Sequence, residues 1–198
     1  MRRRAARPSQ TRGLNGPAFR ELARTVFHRR TLTPGPIPAE RFERILECAR
    51  WAPSVANQQP WLLAASSGAQ AREILGTLEQ SAVKFEDPFS TVSHPDVRPD
   101  LRAAQALVVL MGQRATPFWR ESLLLATYQL MLAVAAEGLA SRTLLPVSPN
   151  DMAHYVKVPG DYVVYSLVLI AHPGEPEATT QLLKPIVEVS APLRLALR

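Results

Sequence analysis

The stretch WAPSVANQQPW, Trp51 to Trp61, sets a serine, an asparagine and two glutamines around two prolines, with no charge and no glycine. Proline fixes φ and removes an amide donor, so Pro53 and Pro60 predict a stiff loop. Ser54, Asn57, Gln58 and Gln59 offer groups that both donate and accept hydrogen bonds. Such neutral groups suit a ligand edge that alternates donors and acceptors, as a flavin or a nucleobase does. The same side chains can also satisfy the loop's own backbone. A second candidate is HRRTLTPG, His28 to Gly35. Two successive arginines and Thr31 can clamp a phosphate through guanidinium forks and a hydroxyl. Arginines in a last helical turn also complement the helix dipole. On the residues alone both pairs of readings stay open.

Other reactive side chains form no pattern. His28, His94, His154 and His172 lack metal-ligand spacing, and no metal site is expected. Cys48 is the one cysteine, so no disulfide or cysteine-based zinc site can form within one chain. No side chain is assigned a catalytic role. The net charge of +6 owes much to Arg2, Arg3, Arg4, Arg7 and Arg12. Residues 1–16 are read as a flexible basic arm and residues 17–198 as a single domain. No helix-turn-helix, RNP or zinc pattern supports a nucleic-acid partner. No apolar run reaches the roughly 18 residues of a membrane span. The expected location is cytoplasmic.

Helical spacing of Phe19, Leu22, Ala23 and Val26 predicts a helix over Gly16–Arg30, ended by the prolines and glycine of TLTPGPIP. Phe42, Ile45, Leu46 and Ala49 predict a second over Pro38–Ala52, and Ala69–Phe85 reads as a third. The apolar run Trp61–Ser67 reads as a strand, Gln105–Gln113 as a strand buried on both faces, and residues 86–100 as a loop. Pro117–Ser141 is the longest helix, apolar almost all round from Leu123 to Ala136, with Gly138 as its C-cap. It belongs in the core or in a subunit interface. A helix starting at Ser148, a strand over Asp161–Gly174 and a short tail strand over Pro185–Val189 complete an α+β layout with a central sheet.

The order HRRT…PIPAERFERILECARWAPSVANQQPW resembles the start of the FMN-dependent nitroreductase family, whose second motif is matched at Ala52, Pro53, Ser54, Asn57, Gln59, Pro60 and Trp61. YQLMLAVAAEGLAS, YSLVLIAHPGEP and LLKPIVEV resemble that family's long helix, late strand and basic tail segment. The resemblance implies an α+β sandwich, a central mixed sheet flanked by helices, in an intertwined homodimer with FMN at the subunit interface. It implies that Arg29, Arg30, Thr31 and Lys184 hold the FMN phosphate and ribityl chain. Pro53, Ser54 and Val55 would line the ring, with Asn57 near it across the interface and Gln59 at the motif's glutamine. It further implies hydride transfer through flavin N5 in a ping-pong cycle. The reaction would reduce a nitro or quinone compound with NAD(P)H, or oxidise a small substrate. Thr33 stands where the family usually has a third basic residue. That departure motivates the alternative of a non-catalytic or hetero-oligomeric subunit, as in a cyclodipeptide-oxidase-type assembly.

Overall fold

A computed structural model describes residues 15–27, 30–81, 84–88, 96–148, 152 and 155–177 of the 198. Five helices, α1 (Gly16–Phe27), α2 (Ala39–Ala49), α3 (Gly68–Gln80), α4 (Arg98–Ala103) and α5 (Trp119–Ala136), accompany six strands among these residues. The strands are β1 (Arg30–Thr33), β2 (Trp61–Ser67), β3 (Phe85–Glu86), β4 (Ala106–Gln113), β5 (Ala140–Pro146) and β6 (Tyr162–Pro176). They lie in the order β2-β4-β6-β5-β3, and β1 adds to β6 off that path. Every pairing among the described residues is antiparallel, where a mixed sheet was expected.

The sheet is a sandwich filling because β4 and β6 are apolar on both faces. Strand side chains alternate between faces. Leu107, Val109 and Met111 join Leu167 and Leu169 in one core with Leu75 and Leu78 of α3. Val108, Leu110, Val168 and Ile170 join the opposite core with Ile45 of α2 and Leu123 and Leu130 of α5. The ladder between β4 and β6 slips between Leu110 and Met111, so Tyr165 is the extra residue of a bulge. The bulge places both Tyr165 and Ser166 on the α5 side. Tyr165 meets the Trp119 ring edge-on, with centroids 6.1 Å apart, and Ser166 Oγ lies 3.3 Å from Thr127 Oγ1. Trp119 packs so closely on β4 that a Cβ on Gly112 would sit 2.3 Å from its ring.

Helix α5 ends as Gly138 predicted. Gly138 takes φ +66°, the Leu139 amide donates to the Val134 carbonyl at 3.1 Å, and the Gly138 amide donates to Ala135 at 2.9 Å. These are the two bonds of a Schellman motif. Arg44 of α2 forks onto the Glu137 carboxylate at 2.9 and 2.8 Å, binding the two helices together. That hydrogen bond holds the Glu137 carboxyl below its usual range.

Several expected boundaries move. The first helix stops at Phe27, and Arg30 opens a strand, because Arg30, Leu32 and Thr33 enter the ladder with β6. The expected loop 86–100 contains Glu86 of β3 and the start of α4, which turns Leu101 and Ala103 into the core. The longest helix, expected through Ser141, ends at Ala136, and Ala140 opens β5, a full neighbour of β6. Most of the helix expected from Ser148, and the tail strand Pro185–Val189, lie outside the described residues. Among the described residues no helix is long and apolar enough to cross a membrane, and no group of His, Cys, Asp and Glu could hold a metal ion.

Among the described residues one core hydroxyl has no partner. Thr143 of β5 is 3% exposed, and its Oγ1 makes no hydrogen bond. Thr143→Val removes a desolvated polar atom at nearly constant shape, so stability should rise by about 1 kcal/mol. Thermal unfolding should show a midpoint about 2–4 °C higher. A lower midpoint would mean that the hydroxyl is satisfied.

Candidate functional site

Helix α2 ends because the chain runs into Pro53. Ala52 is buried and its amide donates to the Ala49 carbonyl at 3.2 Å, closing the last turn. Ser54 is extended, and Val55–Asn57 then form a single 3-10 turn. Three non-glycine residues in and after it have left-handed backbone: Ala56 (φ 50°), Asn57 (φ 55°) and Gln59 (φ 46°). Each costs on the order of 1–2 kcal/mol, a cost that persists only where surrounding contacts over-determine it.

Four bonds do so. Ser54 Oγ accepts the Gln59 amide at 2.9 Å, and the Asn57 amide donates to the Ser54 carbonyl at 3.0 Å. The Gln113 amide at the end of β4 donates to the Pro60 carbonyl at 2.9 Å. Ser122 Oγ of α5 accepts the Val55 amide at 3.3 Å. Gln59 Nε2 also donates to Asn57 Oδ1 at 3.0 Å. The loop thus partly satisfies itself, through Ser54. Pro53, Val55, Asn57, Gln58 and Gln59 nonetheless remain exposed. The outcome is a rigid, uncharged ledge carrying carboxamides, bounded by Trp51 and Phe118, which are 76% and 61% exposed. Phe118, too, has left-handed backbone, at φ 57°. Nothing in it resembles a nucleophile–base pair. Beneath α5's first turn, burial pushes the Tyr165 phenol above its ordinary value, so that side chain stays neutral at physiological pH.

The cationic segment is built on β1. Leu32 is buried, while Arg30 and Thr31 are exposed. Arg30 Nε donates to the Gly174 carbonyl at 2.8 Å, and Thr31 Oγ1 to the Glu175 carbonyl at 3.3 Å. The first bond orients the guanidinium fork along the sheet edge. Gly174 is required there, since a Cβ would lie 2.4 Å from Thr31 Oγ1. Thr33, at the position without a third base, donates to the His172 carbonyl at 3.2 Å. His172 straps the next segment, with Nε2 3.1 Å from the Pro36 carbonyl. A carbonyl only accepts, so that nitrogen carries the proton. Arg29 and Lys184, the other expected phosphate cations, lie outside the described residues.

Within one chain these two groups do not meet. The loop adjoins Trp61, which pairs with Gly112, itself paired with Val163 near the start of β6. Arg30 pairs with Pro176 at the other end of the same strand. At about 3.3 Å per residue, the strand between them has a contour on the order of 40 Å. On the outer side of α5, Leu124, Leu125 and Tyr128 are exposed at 54%, 43% and 45%, an apolar strip on the helix that Phe118 precedes. The sequence placed α5 in the core or in an interface, and its inner face fills the core.

Two residues escaped sequence reading. Ser122, 1% exposed, was hidden as one polar residue at the start of an apolar run. Arg142, 5% exposed in β5, contacts Asp87, Asp100 and Glu177, and was hidden because β5 was not recognised as a strand. Its charge inside SRTLLP was the available signal.

The model of the nitroreductase family matches residues 24–172. An NADH dehydrogenase of Thermus thermophilus is 28% identical over 163 residues, 71% of this chain and 79% of that protein. The 5,6-dimethylbenzimidazole synthase of Rhodospirillum rubrum is 26% identical over 192 residues, covering 84% and 89%. Among solved structures, oxidized iodotyrosine deiodinase bound to FMN and 3-iodo-L-tyrosine superposes with a TM-score of 0.65 at 22% identity, over 86% of this chain and 99% of that one.

Proposed function

Because the chain belongs to the nitroreductase family, we propose that it is an FMN-dependent oxidoreductase whose flavin lies between two copies of the chain. The observation that carries this reading is the strained, uncharged ledge Val55–Gln59, held by α5 and exposed to solvent. Its donor set fits the group. Asn57 and Gln59 present carboxamides suited to the alternating edge of an isoalloxazine, and Pro53 and Val55 supply apolar contact to its face. Arg30 and Thr31 supply a fork and a hydroxyl suited to a phosphate and ribityl chain. Related folds solved with FMN support the choice of flavin.

The distance between the two groups in one chain, with the apolar strip on α5, supports a homodimer in which one protomer offers the ledge and its partner offers Arg30. Burying Leu124, Leu125 and Tyr128 would drive that association. The domain is assigned to residues 17–198, with 1–16 as a basic arm outside it.

A flavin in this place supplies reversible hydride chemistry, and the chain's part is to bind, orient and exclude water. The ledge fixes the ring plane without a charge that would favour one redox state by Coulomb attraction alone. Arg30 offsets the phosphate dianion at the far end. With no acid–base pair on the ledge, substrate choice rests on shape and stacking. That suits nitro or quinone compounds reduced with NADH or NADPH, or a small substrate oxidised in the reverse sense. The alternative of a non-catalytic or hetero-oligomeric subunit is favoured by Thr33, whose hydroxyl serves the β1–β6 ladder where a third cation would help an anion.

Purified protein is expected to be yellow and to release FMN on denaturation. Colourless protein that added FMN cannot reconstitute would overturn the enzyme reading. Anaerobic mixing of the yellow protein with NADH and with NADPH then identifies the donor by bleaching. No bleaching with either would favour a substrate-oxidising member.

A further inference from the structure

We propose that Ser122 of α5 is a positioning residue for the flavin ring, acting through the hydrogen bond its buried hydroxyl accepts from the Val55 amide. The proposal rests on the flavin reading above. Ser122 is 1% exposed and followed by Leu123, Leu124 and Leu125, so apolar packing alone gives a hydroxyl no reason to be there. Its Oγ lies 3.3 Å from the Val55 nitrogen. A hydroxyl can accept from one side while its own proton is used elsewhere.

The position of this bond gives it leverage. The Ser54–Gln59 and Ser54–Asn57 bonds close the loop on itself and fix only its internal shape. The Gln113–Pro60 bond fixes the exit into β2. The Val55 bond ties the loop's entry to α5, immediately before left-handed Ala56 and Asn57. Strained backbone relaxes when a constraint is removed. Losing this one lets the turn unwind toward ordinary dihedrals, which swings the Asn57 carboxamide away from the ring edge. Ser122 touches no ligand itself; it sets the orientation of residues that do.

Three readouts on the full-length protein test this: hydrogen exchange, FMN affinity and the absorption band of bound FMN. Hydrogen exchange over Pro53–Trp61 reports the tether without any flavin, and fluorescence quenching of titrated FMN reports affinity. Thr127→Val is the control. Thr127 is a buried hydroxyl on the same helix that bonds the Leu123 carbonyl and Ser166, away from the loop. In Ser122→Ala, exchange over this segment should accelerate, and the FMN dissociation constant should rise about fivefold, within the range for one hydrogen bond. The absorption band of bound FMN should also shift, because the ring edge meets different donors. Thr127→Val should leave all three readouts within twofold of, or superimposable on, wild type, whatever its thermal midpoint. Wild-type protein that binds FMN, with Ser122→Ala matching it in exchange and affinity, overturns this role alone. Wild-type protein that takes up no FMN overturns the proposed function and this role together.

Discussion

Arg142→Met is expected to remove about 3–5 kcal/mol of stability and to lower the thermal midpoint by on the order of 10 °C. Arg142 is 5% exposed, and its guanidinium joins segments remote in sequence. Nε donates to Asp100 Oδ2 of α4 at 2.8 Å, and Nη2 reaches Glu177, just past β6. Asp87, just past β3, lies 3.9 Å away. Nη2 also approaches the Arg30 carbonyl of β1 at 3.5 Å. Methionine fills similar volume but withdraws the cation that Asp87, Asp100 and Glu177 share, and with it an attraction that offset part of their desolvation. Arg142→Lys should fall between the two, because an ammonium keeps the charge without the fork that reaches several acceptors at once. Differential scanning calorimetry of the three proteins checks the order. A methionine variant within 2 °C of wild type would show that the cluster is solvated enough to relax.

The second large effect concerns affinity. Arg30→Ala should raise the FMN dissociation constant about 10- to 100-fold, the range for a charge-assisted hydrogen bond. The Gly174 carbonyl pre-orients this side chain, so little ordering entropy is spent when it meets an anion. Arg24→Ala, which removes an exposed charge of α1 that lies 3.8 Å from Glu21, should change affinity less than twofold. The gap between the variants should narrow at high ionic strength, since an exposed cation is screened. Equal affinity in both variants would remove the phosphate role from Arg30.

What could be read in the sequence divides along physical lines. Strand β4 and helix α5 announced themselves because long apolar runs have few other places to go. Gly138 announced its cap because left-handed backbone after a helix favours glycine. The ledge was legible as a rigid polar loop through its prolines. Its left-handed residues were not legible, because Ala56, Asn57 and Gln59 carry no glycine signal and their conformation is imposed by Ser54, Ser122 and β4. Strand β1 was misread as helix end plus loop, since four residues make too short a pattern and its ladder with β6 is formed from far along the chain. Strand β5 and Arg142 were hidden for the same reason, because a buried arginine makes sense only once Asp87, Asp100 and Glu177 are brought around it.

The placement of ledge and cation at opposite tips of β6 has a genetic corollary. In the proposed pairing each pocket borrows one half from each protomer. A dimer assembled from one Arg30→Ala chain and one Ser122→Ala chain therefore gathers both lesions into a single pocket and leaves its sister intact. Two alleles crippled separately would complement each other, and dilution that parts the protomers would dismantle both pockets at once.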